Sequence, residues 1–316
     1  MKIVTGNRAS SILYNWLLSN DIKGRVLIPC NICETVPSTY IKAGLDVSFA
    51  DISLKDYEMD ESEMLSFCNQ YPEGIIHFNH TFGHVDKNKY NLLADIQNKY
   101  HVRIVDDCCL CIPEFEVEEN SPFDIRLYST GHVKPVDIDT GGYAFIQDKY
   151  EYLINDFSFD PKSEEKFENH ISRCRKDFEK VDEKILKGNW LNLDFNIPEK
   201  QYFLTLRQHK DKVIKHKKSL NNIYKSLPGS MPMEFNNWRY NLIVENQDEC
   251  IKSLFEEGLF CSAHYMSLCN GYFCKKLTPN CDYLFKHVIN LFNDFYYTEQ
   301  QASRTVEILK GILQPI

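Results

Sequence analysis

FDIRLYSTGHVKPVDIDTGGYAFIQ, residues 123–147, is the stretch on which the reading of the chain turns. Two short runs of β type, FDIRLYS and GYAFIQ, flank a connector too short to hold a crossover helix, so a hairpin is expected. The connector ends in Gly141-Gly142, which can take backbone conformations closed to other residues. Lys134 sits near its middle. That arrangement carries one lysine on a loop at the end of a strand, where a ligand can reach its amine. The plainer alternative is a solvated hairpin lysine, since lysine is mostly a surface residue.

Upstream, VRIVDD (residues 102–107) reads as a buried strand that ends in two carboxylates. It closes a series. Residues 8–19 carry apolar side chains at helical spacing, and RVLIP (25–29) is an apolar run stopped by proline. A helical stretch to Lys42 and LDVSFAD (45–51) follow, then GIIHFNH (74–80), a loop at Phe82-Gly83 and a helix from about Lys87 to Lys99. Strands alternating with helices predict a parallel sheet with right-handed crossovers. Ligands of such sheets gather at the carboxyl ends of the strands, where Pro29, His80, Asp107 and the 129–134 loop all fall. No G-x-G-x-x-G follows the first strand, which disfavours a dinucleotide fold. Gly6-Asn7 precedes the first helix, and either a phosphate bound at its free N–H groups or an ordinary Asn cap fits that position.

After Gln147 the pattern changes. Residues 150–159 are aromatic and irregular, and 163–187 read as one long charged helix with apolar points at Phe167, Ile171, Phe178, Val181 and Ile185. Residues 190–201 read as a loop broken by Pro198, and a second long, basic helix is expected from about Tyr202 to Leu227. Beyond LPGSMP come NWRYNLIVE, a helix at 247–257, FCSAHYMS, a turn-rich stretch over 270–282, VINLF, and a last helix from Thr298 to Ile312. The fold class expected is α/β: a large domain over residues 1–205 with a mainly parallel sheet flanked by helices, and a smaller C-terminal α+β domain over 206–316.

Composition narrows the partners. The chain has 316 residues, 43% hydrophobic and 26% charged, as one large globular unit or two domains would. A net charge of -9 without a long basic run argues against nucleic acid. No apolar stretch approaches the roughly 20 residues of a membrane span, and MKIVTGNRASS has no apolar signal core. A cytoplasmic protein is expected. Twelve cysteines raise the alternative of a zinc-thiolate site at Cys30, Cys33 and the 108–111 cluster. No matching pair completes a four-ligand set at finger spacing, so free thiols and no metal are expected.

A lysine and a strand-end aspartate on one edge of a parallel sheet suit pyridoxal phosphate (PLP): an amine for a Schiff base, a carboxylate to keep the ring nitrogen protonated. At these residues the sequence resembles the DegT/StrS-type sugar aminotransferases, PLP enzymes of fold type I. The likeness runs in order along essentially the whole chain. It covers the Gly6-Asn7-Arg8-Ala9 turn, the strand ending in Pro29, and Ala43-Gly44 with Val47, Phe49 and Asp51. It continues through His80-Thr81-Phe82-Gly83 with Asp86, Val105 to Cys109, and the Ser129, Lys134, Gly141-Gly142 signature. Asn196, His264-Tyr265 and residues 288–299 complete it.

The resemblance implies a Schiff base on Lys134, with Asp107 facing the ring nitrogen. It also implies a phosphate held by Asn7, Arg8 and Ser129, with Asn196 reaching it from the neighbouring subunit of a homodimer with a shared active site. Glutamate as amino donor and a nucleotide-linked keto-sugar as acceptor are implied by family habit, with His80, His132 and Tyr265, and also His84, as candidates to line the substrate pocket. Cys33 stands where the family stacks an aromatic on the ring, and Leu110 where it has Gln or His near the ring hydroxyl. Asp106 replaces a glutamate. These departures motivate a second reading, a binding or regulatory protein that retains the fold without transaminating.

Overall fold

The computed structural model describes residues 1–117, 121–155 and 158–316. The chain opens with β1 (Lys2–Gly6), α1 (Ala9–Ser19), β2 (Arg25–Pro29), α2 (Thr35–Lys42), β3 (Asp46–Ala50) and α3 (Glu61–Gln70). There follow β4 (Ile75–Asn79), α4 (Lys87–Tyr100), β5 (Arg103–Asp107), β6 (Ile125–Ser129) and β7 (Gly142–Ile146). The strands form a seven-stranded sheet in the order β1-β7-β6-β5-β4-β2-β3. β3, β2, β4, β5 and β6 run parallel, and β7 pairs antiparallel with both β6 and β1. The β6–β7 hairpin is the one expected, with Ser129 opposite Gly142.

This topology builds a single working edge. The carboxyl ends of β1, β2, β4, β5 and β6, together with the start of β7, lie on the same side of the sheet. β2 and β4 are buried along nearly their whole length, as strands covered on both faces must be. α1 buries Ile12, Leu13, Trp16 and Leu17 against the sheet, whereas α3 and α4 pack with Met64, Phe67, Leu93 and Ile96 on the opposite face.

The second half differs from expectation first in its charged helix. The single helix over 163–187 is two, α5 (Pro161–Asp177) and α6 (Glu183–Leu186). Phe178 caps α5 in the left-handed conformation (φ 54°) and is exposed, so it is no part of an apolar stripe. The break lets the Val181 N–H donate to Tyr272 O (2.8 Å), which seats Val181 in the core, and Asp182 then caps α6. The 150–159 segment is without regular structure where it is described; residues 156 and 157 lie outside the described residues.

α7 (Glu199–Tyr224) ties the two halves together. Its first turns pack Tyr202 and Leu206 against Tyr128, Tyr143 and Phe145 of the large sheet. Its last turns pack Leu220 and Tyr224 on the small sheet β8-β10-β9, formed by Tyr240–Ile243, Val288–Leu291 and Cys261–Ser262. The expected division at 205/206 thus falls inside a continuous helix. α8 (Gln247–Glu256), α9 (Pro279–His287) and α10 (Glu299–Lys310) complete the chain, and α9 begins within the stretch expected to be turns. All twelve cysteines are free. Among the described residues, no helix is long and apolar enough to cross a membrane.

Gly142 is where the hairpin meets the first turn of α1. A Cβ there would come 2.7 Å from Tyr128 O and 2.8 Å from Ala9 N, both backbone atoms that cannot step aside. Gly142→Ala is expected to lower the free energy of unfolding by about 2 kcal/mol, read from urea denaturation.

Candidate active site

The strand ends enclose a cavity of about 470 Å³. Its walls come from the β1–α1 turn (Asn7 to Ser10), the segment after β2 (Asn31 to Cys33), Asn79 and His80 at the end of β4, and Asp107, Cys109 and Leu110 at the end of β5. The hairpin connector supplies Ser129, Gly131, His132, Lys134 and Thr140, and Tyr265 arrives from the second half. Asn7, Arg8, Cys33, His80, Asp107, Leu110, Ser129, His132, Lys134 and Tyr265, which the sequence singled out, therefore meet in one place. Two candidates do not. His84 stands outside, its ring against Phe235 at 4.5 Å. Asn196 is exposed on the 190–198 segment, away from the cavity.

Asp107 is the fixed charge of this site. One carboxylate oxygen accepts from His77 Nε2 (3.0 Å), the other from the Cys109 N–H (2.9 Å). His77 Nδ1 in turn is hydrogen-bonded to the hydroxyl of Tyr40 (2.9 Å), which fixes the ring with Nε2 towards Asp107. Burial alone would raise the carboxyl, but these bonds hold it well below the usual carboxylate range. Asp106 points to the other face of β5, as strand alternation requires. There it accepts from His80 Nε2 (2.8 Å) and Arg126 Nε (2.5 Å), and Arg126 also donates to Tyr90 (2.6 Å). Burial disfavours the charged form of His80, yet the imidazole is held protonated well above its ordinary range, with Asp106 as its partner.

The β1–α1 turn resolves what the sequence left open. Asn7 does not cap α1: its Nδ2 donates to Asn192 O (3.3 Å). The cap residue is Arg8, in extended conformation and making no side-chain capping bond, and its guanidinium pairs with Glu164 (2.9 Å). The first turn of α1 is thus left without a side-chain acceptor where it borders the cavity, which suits an anion.

The connector that carries Lys134 is tied down at each turn. Thr130 Oγ1 bonds Thr140 O (2.8 Å) and Tyr202 Oη (2.6 Å). Val133 adopts φ 60°, costly for a β-branched residue. Its N–H donates to Asp137 (2.9 Å) and its C=O accepts from Trp238 Nε1 (2.8 Å), so the strained peptide just before Lys134 is clamped from both sides. Trp238 also stacks on Tyr265 (6.0 Å, 14° between planes).

Sequence reasoning missed Asn31, Tyr40, His77 and Asn79. The available signal was IIHFN itself: two polar residues at i, i+2 on a strand otherwise fit for full burial. As to metals, two groups bring three potential ligand atoms within 4.8 Å among the described residues, buried His80, Asp106 and Cys108, and surface His132, Asp137 and Asp139. Neither joins Cys30 or Cys33 to the 108–111 cysteines, so the zinc-thiolate alternative is not assembled.

The site fits PLP on its own observations. It has a lysine and an ionised, buried aspartate on one cavity, an uncapped helix N-terminus at its rim, and buried amide oxygens on Asn31 and Asn79 without partners.

No family model and no curated protein matches this sequence. Solved structures do. An aminotransferase of the DegT/DnrJ/EryC1/StrS group from Brucella abortus superposes with a TM-score of 0.69 at 15% identity, over 98% of this chain and 86% of that one. NtdA from Bacillus subtilis, solved with bound cofactor PMP, gives 0.69 at 14%, over 98% and 73%. DesI, solved in the presence of its TDP-sugar product, gives 0.69 at 14%, over 98% and 80%. The fold is that of the PLP aminotransferases of fold type I. At these identities the likeness is one of fold.

Two outcomes follow. Glycine adopts φ near 60° without a Cβ penalty of about 1–2 kcal/mol, so Val133→Gly should raise unfolding free energy by roughly 0.5–1 kcal/mol after its added chain entropy. His80, whose folded pKa is raised, contributes stability that is complete below its unfolded value of about 6.5 and is lost as pH rises through the folded value. The stability gap between wild type and His80→Gln, measured by chemical denaturation, should therefore narrow towards alkaline pH.

Proposed function

We propose that this chain is a PLP-dependent aminotransferase that moves an amino group from glutamate to a nucleotide-linked keto-sugar, of the kind of the TDP-sugar product with which DesI was solved. The observation that carries the proposal is the meeting of Lys134 and the ionised Asp107 on one cavity at the carboxyl edge of a fold type I sheet. When bound, the cofactor supplies an electron sink that stabilises negative charge at the carbon bearing the transferred nitrogen.

The chain's residues supply the rest. Asp107, kept ionised by His77 and the Cys109 N–H, would keep the ring nitrogen protonated. The Lys134 amine would hold the cofactor and, once released from it, would serve as the base that takes up and returns a proton. The uncapped turn of α1, with Asn7, Arg8 and Ser129, receives the phosphate. Tyr265, His80 and His132 border the space left for the substrate. Over a full cycle, glutamate gives up its amino group to become 2-oxoglutarate, and the ketone of the sugar becomes an amine.

Asn196 is proposed to complete the phosphate site of a second copy, which makes the working unit a homodimer. Its exposed position outside its own cavity supports this role. The division of the chain into residues 1–205 and 206–316 is proposed as the split between the cofactor-binding part and the smaller part that brings Tyr265. The free thiols support a reducing, cytoplasmic setting.

Purified protein should be yellow with PLP, and glutamate should bleach that colour with release of 2-oxoglutarate. Lys134→Ala should abolish the visible absorbance of the lysine-bound cofactor and lower turnover of keto-sugars by at least about a thousandfold. A protein that binds PLP but does not respond to glutamate would instead be the non-transaminating binder.

A further inference from the structure

Asn79 ends β4 directly beside Asp107, its partner in the β4–β5 register, so both side chains leave the sheet on one face. It is 7% exposed, borders the cavity, and its Oδ1 has no hydrogen-bond partner. An unpaired buried amide oxygen is costly, and chains keep such groups where a ligand completes them. Asn31 has a similar unpartnered oxygen, but its Nδ2 is committed to Thr81 (3.3 Å). Leu110, three residues beyond Asp107, borders the same cavity with a side chain that cannot hydrogen-bond.

The geometry of the ring connects these facts. With the ring nitrogen on Asp107, the carbon bearing the ring hydroxyl is two bonds away around the ring. That hydroxyl lies within about one strand spacing, ~4.8 Å, of the Asp107 contact. In register with Asp107 stand Asn79 on β4 and Leu127 on β6, and of the two only Asn79 can hydrogen-bond.

We propose that the Asn79 amide is the hydrogen-bond partner of the ring hydroxyl of bound PLP, making from β4 the contact that Leu110 does not make. The inference rests on the cofactor reading above. A carboxamide offers both a donor and an acceptor and exchanges them by a half-turn, so the side chain serves the hydroxyl in its ionised or protonated form. Asn79 is a positioning residue: it sets the rotation of the ring about the Asp107 contact and hence where the reactive carbon stands relative to Lys134.

The test is equilibrium binding to cofactor-free protein, with PLP and with its analogue lacking the ring hydroxyl, for wild type, Asn79→Ala and the volume-matched Asn79→Leu. Wild type should prefer PLP to the analogue. Either variant should bind PLP about tenfold more weakly and the analogue within about twofold of wild type, which removes the preference. Equal losses for both ligands, or no loss, overturn the inference while the cofactor reading stands. If wild type binds neither ligand, and borohydride attaches no PLP to Lys134, the cofactor reading fails and takes the inference with it. Asn79→Leu keeps the test open should the cavity left by alanine prevent folding.

Discussion

The 3.0 Å hydrogen bond from His77 to Asp107 is the constraint on which the rest of the site depends. A carboxylate buried at a strand end is stable as an ion only where its oxygens are bonded, and here both are. The partner comes from β4, the next strand, and is itself steered by Tyr40 of α2. One step back along β5, Asp106 repeats the arrangement on the opposite face, with His80 from the end of β4 and Arg126 from β6. Two adjacent carboxylates, sent to opposite faces by the pleat, thus bind three strand ends together. The cavity inherits its shape from that fastening.

The same pair of carboxylates shows how one strand end serves both stability and chemistry. Asp106 spends its charge on a protonated imidazole and a guanidinium, so its interactions are closed within the protein. Asp107 has one imidazole and a backbone N–H as partners, and its carboxylate borders the cavity. A cation placed in the cavity finds that charge available. Preorganised charge of this kind in a water-poor site is the usual source of strong electrostatic stabilisation.

Much of this was legible in the sequence, and the reasons differ by element. The alternation from Arg25 to Asp107 carried the parallel sheet, because strands buried on both faces leave an unbroken apolar signature. Lys134 was legible from the short connector and its terminal glycines. The break at Phe178 was not, since no glycine or proline marks it and the turn is set by Val181 reaching the core and bonding Tyr272. β1 and α3 were passed over because a five-residue edge strand and a mostly polar helix carry weak periodicity. Tyr40 and His77 escaped because their roles exist only between elements: neither residue is unusual until α2 is laid against β4.

The replacements in the cavity wall are best understood together. Cys33 and Leu110 line the cavity from the segments after β2 and β5, and neither brings an aromatic ring or a polar group that hydrogen-bonds strongly. His77 and Asn79, at i, i+2 on one face of β4, add a hydrogen bond to Asp107 and a free amide beside it. A rigid strand, buried along its length, holds such groups with less conformational freedom than a loop. The polar groups beside Asp107 thus stand on the sheet. On the loops, Cys33 is a small side chain and Leu110 makes no directional demand. A cavity with a fixed floor and a permissive wall retains the demands of a cofactor while relaxing those of whatever lies above it.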